Sequence, residues 1–276
     1  MRASDRIWIG LLALAFVPAV LAMAEIWASH DYYTHGFLVP LVAAAAFRSN
    51  RHRAGVVRRD VRGIYVIAFA LLLTMIGMGV TSVTLQGLGL VIAVAGVVVR
   101  FWGLSGLQRL AFPVAFLLFM VPLPASWIGP SIVSLQLFVS KASVGILQGM
   151  GLDFAREGNV LQLPDGETLF VAEACSGITS LITLMPLGVV VAYFTERTWA
   201  RRLSIVAAVI PLAMFGNLLR VLGTALAAES YGVEQAISGP LHEMAGLSTF
   251  VLACFGLLAV GPLLRFFDRQ RERRLA

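Results

Sequence analysis

Leu203-Ser-Ile-Val-Ala-Ala-Val-Ile-Pro-Leu-Ala-Met-Phe-Gly-Asn-Leu-Leu-Arg-Val-Leu-Gly-Thr-Ala-Leu-Ala-Ala228 contains one charged residue, Arg220. About 20 apolar residues of helix cross a bilayer core, so residues 203–228 read as a membrane span. Working outward, similar runs occur at 7–27, 34–47, 63–81, 84–99, 109–124, 177–195 and 244–265. The second and fourth of the eight, 34–47 and 84–99, are short and read as bent or thinly covered spans. The first run follows Arg2 and Arg6 and has only a weak small-residue cleavage pattern at Ala22, Ala24 and Ala28. More apolar runs come directly after it, so it reads as an uncleaved span rather than a leader. Of the 276 residues, 59% are hydrophobic and 13% charged. One soluble core cannot hide that much apolar surface, and disordered chains are poor in such residues. Two cysteines, Cys175 and Cys254, do not make a disulfide scaffold.

The net charge of +6 does not point to nucleic acid, because the basic residues lie in clusters between the apolar runs. Arg2 and Arg6 precede the first run, and six arginines fall between Arg48 and Arg62. Arg100 and Arg109 bracket a turn, Arg197, Arg201 and Arg202 follow the sixth run, and five arginines fill 265–274. These are eighteen of the 21 basic residues, and eight crossings put them all on one side, which the positive-inside rule makes cytoplasmic. Both termini then lie in the cytoplasm. Segment 125–150 cannot also cross without reversing the later loops. Its Ser126, Ser131, Ser134, Gln136, Ser140, Lys141, Ser143 and Gln148 suit an amphipathic interfacial or re-entrant helix on the outer face. Next, Val160–Leu163 and Thr168–Val171 flank Pro164-Asp165-Gly166, the pattern of a β-hairpin. The expected fold is an all-α polytopic membrane protein of about eight transmembrane helices, with an outer-face interfacial helix and a short periplasmic β-hairpin. It forms a single membrane domain, 1–276, with the hairpin insert at about 151–174.

Polar residues in apolar runs carry the functional reading. Arg220 lies about 25 Å from the inner end of its run at 1.5 Å per residue, in the outer third, where a charge is costly and usually functional. Asn217 is one turn earlier on the same face. Cys175, in Glu173-Ala-Cys-Ser-Gly177, stands where the hairpin enters a span, and a helix N-terminus favours a thiolate. His242 follows Gly239-Pro240 at the outer start of the last span. Each residue taken alone also fits packing or an interface. Arginine counting puts all three at one depth on one face, although they come from three distant segments. A thiol, an imidazole and a guanidinium at one level suit acyl transfer, with Cys175 as nucleophile, His242 as base and Arg220 holding the oxyanion. His35, Glu173, Ser176, Asn217 and Glu243 line or support such a cleft, whereas Cys254 sits mid-span among apolar neighbours. No Walker loop, dinucleotide fingerprint or zinc-helix motif is present, so no cofactor or metal is expected. Two rival readings stand beside this one: a transporter that binds an anion through Arg220, and a non-enzymatic assembly factor for surface-polymer export.

Glu173-Ala-Cys-Ser-Gly-Ile178, Asn217-Leu-Leu-Arg220 and His242 resemble the three signatures of the exosortase/archaeosortase family. Tyr33-Thr-His-Gly-Phe-Leu-Val-Pro40 and Gly158-Asn-Val-Leu-Gln-Leu-Pro164 resemble its other characteristic stretches. The likeness runs from about 30 to 250. It implies an inner-membrane cysteine transpeptidase acting on exported proteins that end in a short motif such as Pro-Glu-Pro, a membrane helix and a basic tail. Membrane lipids surround it and nucleic acid has no part. By this resemblance Cys175 is the nucleophile, Arg220 the oxyanion stabiliser and His242 the third catalytic residue.

Overall fold

The computed structural model describes residues 3–53, 55, 59–171, 176–238 and 240–275, with side chains outside 53, 240–243 and 271–275. The chain packs as two compact units, Met1–Ala125 and Ser126–Ala276.

The first unit opens with α1 (Ala3–Ala15) and α2 (Val17–Ser29), bent by 48° at a one-residue break. The cause is Pro18: it has no N–H to donate to Leu14 and its ring crowds that carbonyl. A 3-10 helix (Asp31–Phe37) then leads into α3 (Val39–Asn50). Next come α4 (Arg62–Gly79), α5 (Val83–Arg109) and α6 (Ala111–Phe116), which runs on as a 3-10 turn, Leu117–Met120. The helices α4 and α5 form a close antiparallel hairpin. Gly77 faces Gln86 and Gly89 faces Thr74, and small residues let two backbones approach in an apolar medium. The Ser82 side chain caps α5 by accepting from Leu85 N–H at 3.4 Å.

Three sequence runs take a different form here. The run 84–99 is part of a 27-residue helix, α5, broken only at Gly103 (φ 68°). The runs 34–47 and 109–124 are not continuous 20-residue helices: α3 has 12 residues, and the apolar helix at Ala111–Met120 is also short. The 109–124 segment packs beside α5, and α3 packs on the 109–124 segment. Leu110 and Val114 pack on Val98, while at the other end Thr84 Oγ1 donates to Pro122 O at 2.8 Å. One end of the α3 segment is held by Tyr33 Oη, which accepts from Leu123 N–H at 2.7 Å, and the other by Phe47 edge-on to Trp102.

The second unit contains α7 (Ala125–Gly149), strands β1 (Ala155–Glu157), β2 (Val160–Gln162) and β3 (Thr168–Phe170), then α8 (Ile178–Thr195), α9 (Trp199–Tyr231), α10 (Val233–Ile237) and α11 (Pro240–Leu275). The expected hairpin is present as β2–β3, with Val160 opposite Phe170. Its turn returns through Gly166 at φ 89°. A third strand, β1, extends it to a sheet ordered β1-β2-β3. The missed signal was Gly158-Asn159 between the strands. Gly158 has φ 62°, the left-handed first position of a two-residue hairpin turn. Leu161, Leu163, Leu169 and Val171 face a core shared with Val139 and Leu147 of α7 and with Val221, Ala225 and Ala228 of α9.

Among the described residues, α4, α5, α7, α8, α9 and α11 are long and apolar enough to cross a membrane, and the bent α1–α2 pair makes up to seven spans. The chain is therefore an all-α polytopic membrane protein with one small sheet. The polar residues of α7 divide between two faces: Ser126, Ser131, Ser134, Lys141 and Gln148 are exposed. Gln136, Ser140 and Ser143 are buried, while Val133, Leu137, Phe138 and Ile146 are exposed. Gln136 Nε2 donates to Val171 O at 3.0 Å and ties the helix to the strand end, while Ser140 Oγ donates within the helix to Gln136 O at 2.7 Å.

Candidate active site

Two backbone segments of the second unit meet two side chains of α9. The first is the entry to α8. Gly177 caps this helix at φ 87°, Ser176 Oγ accepts from Ile178 N–H at 3.2 Å, and Leu181 N–H donates to Gly177 O at 3.0 Å. The chain turns sharply here, and only glycine adopts that conformation without strain. A Cβ built on Gly177 would lie 3.3 Å from Cβ, Cγ and Nδ2 of Asn217. Asn217 is itself buried at 3% exposure, against the helix entry.

The second contact is one turn along α9. A Cβ built on Gly246 of α11 would lie 3.2 Å from Arg220 Cζ and 3.3 Å from Nη2. The guanidinium therefore rests on the α11 backbone at a residue with no side chain to push it away. From Trp199, the start of α9, to Arg220 is about 32 Å along the helix at 1.5 Å per residue, close to the thickness of a bilayer core. Beyond Arg220 the helix continues to Tyr231 and packs on the sheet through Val221, Ala225 and Ala228. The sequence run to 228 had merged the apolar span with this sheet-packing extension.

The remaining predicted residues fall as follows. Cys175 and Glu173 lie outside the described residues; their flanks, Val171 and Ser176, are buried at 2% and 1%. His242 and Glu243 are in the first turns of α11, and His242 precedes Gly246 by about one helical turn, ~6 Å along the axis. His35 belongs to the first unit, where its Nε2 bonds Phe119 O at 3.1 Å, and the neighbouring Gly36 packs directly under the Trp27 indole. Cys254 sits in α11 beside the apolar cluster of Leu184, Val209, Ala213 and Leu257.

Sequence reasoning missed an ionic cluster that joins the same three helices at their other ends. Glu196, 3% exposed, follows α8 and pairs with Arg265 of α11 and, at 3.9 Å, with Arg201 of α9. Arg201 also binds Asp268 at 2.7 Å. Arg202 donates to Glu196 O at 2.9 Å and lies over the Tyr193 and Trp199 rings at 5.1 and 5.6 Å. Gly261 leaves room for the Glu196 carboxylate. These arginines read in the sequence only as topology signals, because nothing marked Glu196 as their shared partner.

The profile of a family described as transmembrane exosortase matches residues 27–259. The chain belongs to the transmembrane exosortase family. The match takes in α3 to α9, the entry to α8 and most of α11, and so includes every segment of the site just described. No curated protein and no solved structure matches the chain.

Proposed function

We propose that this exosortase is a membrane-embedded cysteine peptidase or transpeptidase that removes C-terminal sorting signals from exported proteins. The observation that carries the reading is the pair of contacts made by α9. Asn217 touches Gly177, two residues after Cys175, and Arg220 touches Gly246, one turn after His242. Segments distant in sequence thus converge within one turn of α9, at the family's signature positions.

In the proposed reaction His242 takes the proton of the Cys175 thiol, and the thiolate attacks the carbonyl carbon of the scissile peptide. Arg220 donates hydrogen bonds to the oxyanion of the tetrahedral intermediate. As the C–N bond breaks, His242 returns the proton to the leaving amine and a thioester remains on Cys175. A nucleophile (water, or a hydroxyl or amine of a lipid or glycan) then displaces the thiolate. Asn217 positions the helix entry that follows Cys175, and Glu173, Ser176 and Glu243 support the cleft or the substrate. The substrate is an exported protein ending in a short motif, a membrane helix and a basic tail. We read residues 1–276 as one membrane domain in the bacterial inner membrane, both termini cytoplasmic and the reaction on the periplasmic side.

Trapping tests this reading. Co-expression with a tripartite-tail protein gives a covalent adduct sensitive to thiol reagents, lost in Cys175→Ala and kept in Cys254→Ala. Processing that survives Cys175→Ala refutes the assignment, and an anion transporter or assembly factor gives no adduct at all.

A further inference from the structure

The two edges of the sheet differ. Leu163 N–H donates to Glu167 O at 2.8 Å, and Val171 N–H to Asn159 O at 3.0 Å. In an antiparallel ladder hydrogen-bonded pairs alternate with non-bonded ones. The register therefore makes Leu161–Leu169 a bonded pair and turns the peptide groups of Thr168 and Phe170 away from β2. On the opposite edge, Arg156 of β1 is the outward-turned residue by the same counting. That edge carries two charges, Arg156 and Glu157, the usual guard against stray strand pairing. The β3 edge carries none: it presents Thr168 and a Phe170 that is 60% exposed. Among the described residues no backbone hydrogen bond reaches the outward groups of Thr168 or Phe170.

We propose that the β3 edge is the substrate-binding strand, and that the segment of the exported protein flanking the scissile bond pairs with it in extended form. The proposal rests on Cys175 being the nucleophile. Five residues separate Phe170 from Cys175, so the two are at most about 18 Å apart along the chain. A peptide bonded to Thr168 and Phe170 is thus held no farther from the thiol than that length of chain. Strand addition uses main-chain hydrogen bonds for affinity and alternate side chains for specificity. Phe170 is the side chain that contacts the added strand across the open face of the sheet.

Proline scanning of the full-length protein in membranes tests this. Thr168→Pro and Phe170→Pro each delete one outward donor and leave the β2–β3 ladder intact, since proline is tolerated at edge positions whose N–H faces out. Each lowers kcat/KM for a co-expressed tripartite-tail substrate about fivefold, the scale of one net hydrogen bond. Labelling of Cys175 by an alkylating probe proceeds at the wild-type rate in both. Arg156→Pro deletes an outward donor from the guarded edge and leaves processing at the wild-type rate. Wild-type processing by both β3 variants, or equal slowing by Arg156→Pro, overturns the proposal. A photoreactive benzoylphenylalanine at position 170 in the Cys175→Ala background gives a second readout that needs no turnover. It captures the substrate at residues flanking the scissile bond; capture confined to lipid or to the substrate's membrane helix overturns the edge. Processing that persists in Cys175→Ala alone defeats the nucleophile assignment instead, whatever the β3 variants do.

Discussion

Arg220 is where chemistry and packing meet. Lysine keeps the charge but lacks the planar fork of donors. If the side chain only reached for water, lysine would serve as well. As an oxyanion donor, Arg220→Lys loses at least ~100-fold in turnover while membrane levels and Cys175 labelling stay near wild type; near-normal processing returns Arg220 to a snorkelling role. Gly246→Ala tests the same site from the other helix. Its new methyl, 3.2 Å from Cζ, displaces the guanidinium by a few tenths of an ångström. We expect about a tenfold loss, given the steep dependence of rate on placement. Gly223→Ala, where a Cβ meets nothing within 4 Å, has no such effect on turnover. Arg220 and Asn217 were legible in the sequence because a polar group in an apolar run needs a reason. Their glycine counterparts were not: Gly177 and Gly246 act by lacking a side chain, and a glycine beside alanine or serine in a membrane helix gives no sign of what it faces.

At the scale of elements, periodicity told where apolar residues were but not which way polar ones turned. In α7, Gln136, Ser140 and Ser143 form a buried stripe, while Ser134, Lys141 and Gln148 are exposed beside Leu137 and Phe138. The hairpin was readable from Pro164-Asp165-Gly166, whereas the third strand rested on Gly158-Asn159, an inconspicuous pair in a charged stretch. The helix ends opposite the site are joined through Glu196, whose side chain is 2% exposed while its partners Arg201 and Arg265 are 35% and 37% exposed. Removing one member of a fully buried pair costs several kcal/mol, but partly exposed partners rehydrate. Glu196→Gln therefore destabilises by about 1–2 kcal/mol, seen as a lower thermal midpoint in detergent. An unchanged midpoint makes the cluster incidental.

For the whole molecule, parity of crossings decides which compartment holds the site. Six or seven helices meet the length of a span, and α7 is one of them. Eight crossings require instead that α3 and the 109–124 segment cross and α7 does not. Arginine clustering argues for eight crossings, and helix length among the described residues argues for six or seven. A phosphatase fused after Gly166 is active and one fused after Arg59 is silent if the count is right. Activity after Arg59, or silence after Gly166, reverses the orientation and puts Cys175 in the wrong compartment. The cluster at Glu196 also has a consequence for how the protein comes into being. Its carboxylate is separated from Arg265 by 69 residues. At about 5–20 residues per second, a ribosome leaves Glu196 waiting roughly 3–14 s for that partner. During this interval the carboxylate has Arg201 of α9, at 3.9 Å, as its ion-pair partner. The link between the end of α8 and α11 therefore closes only after α11 has been made.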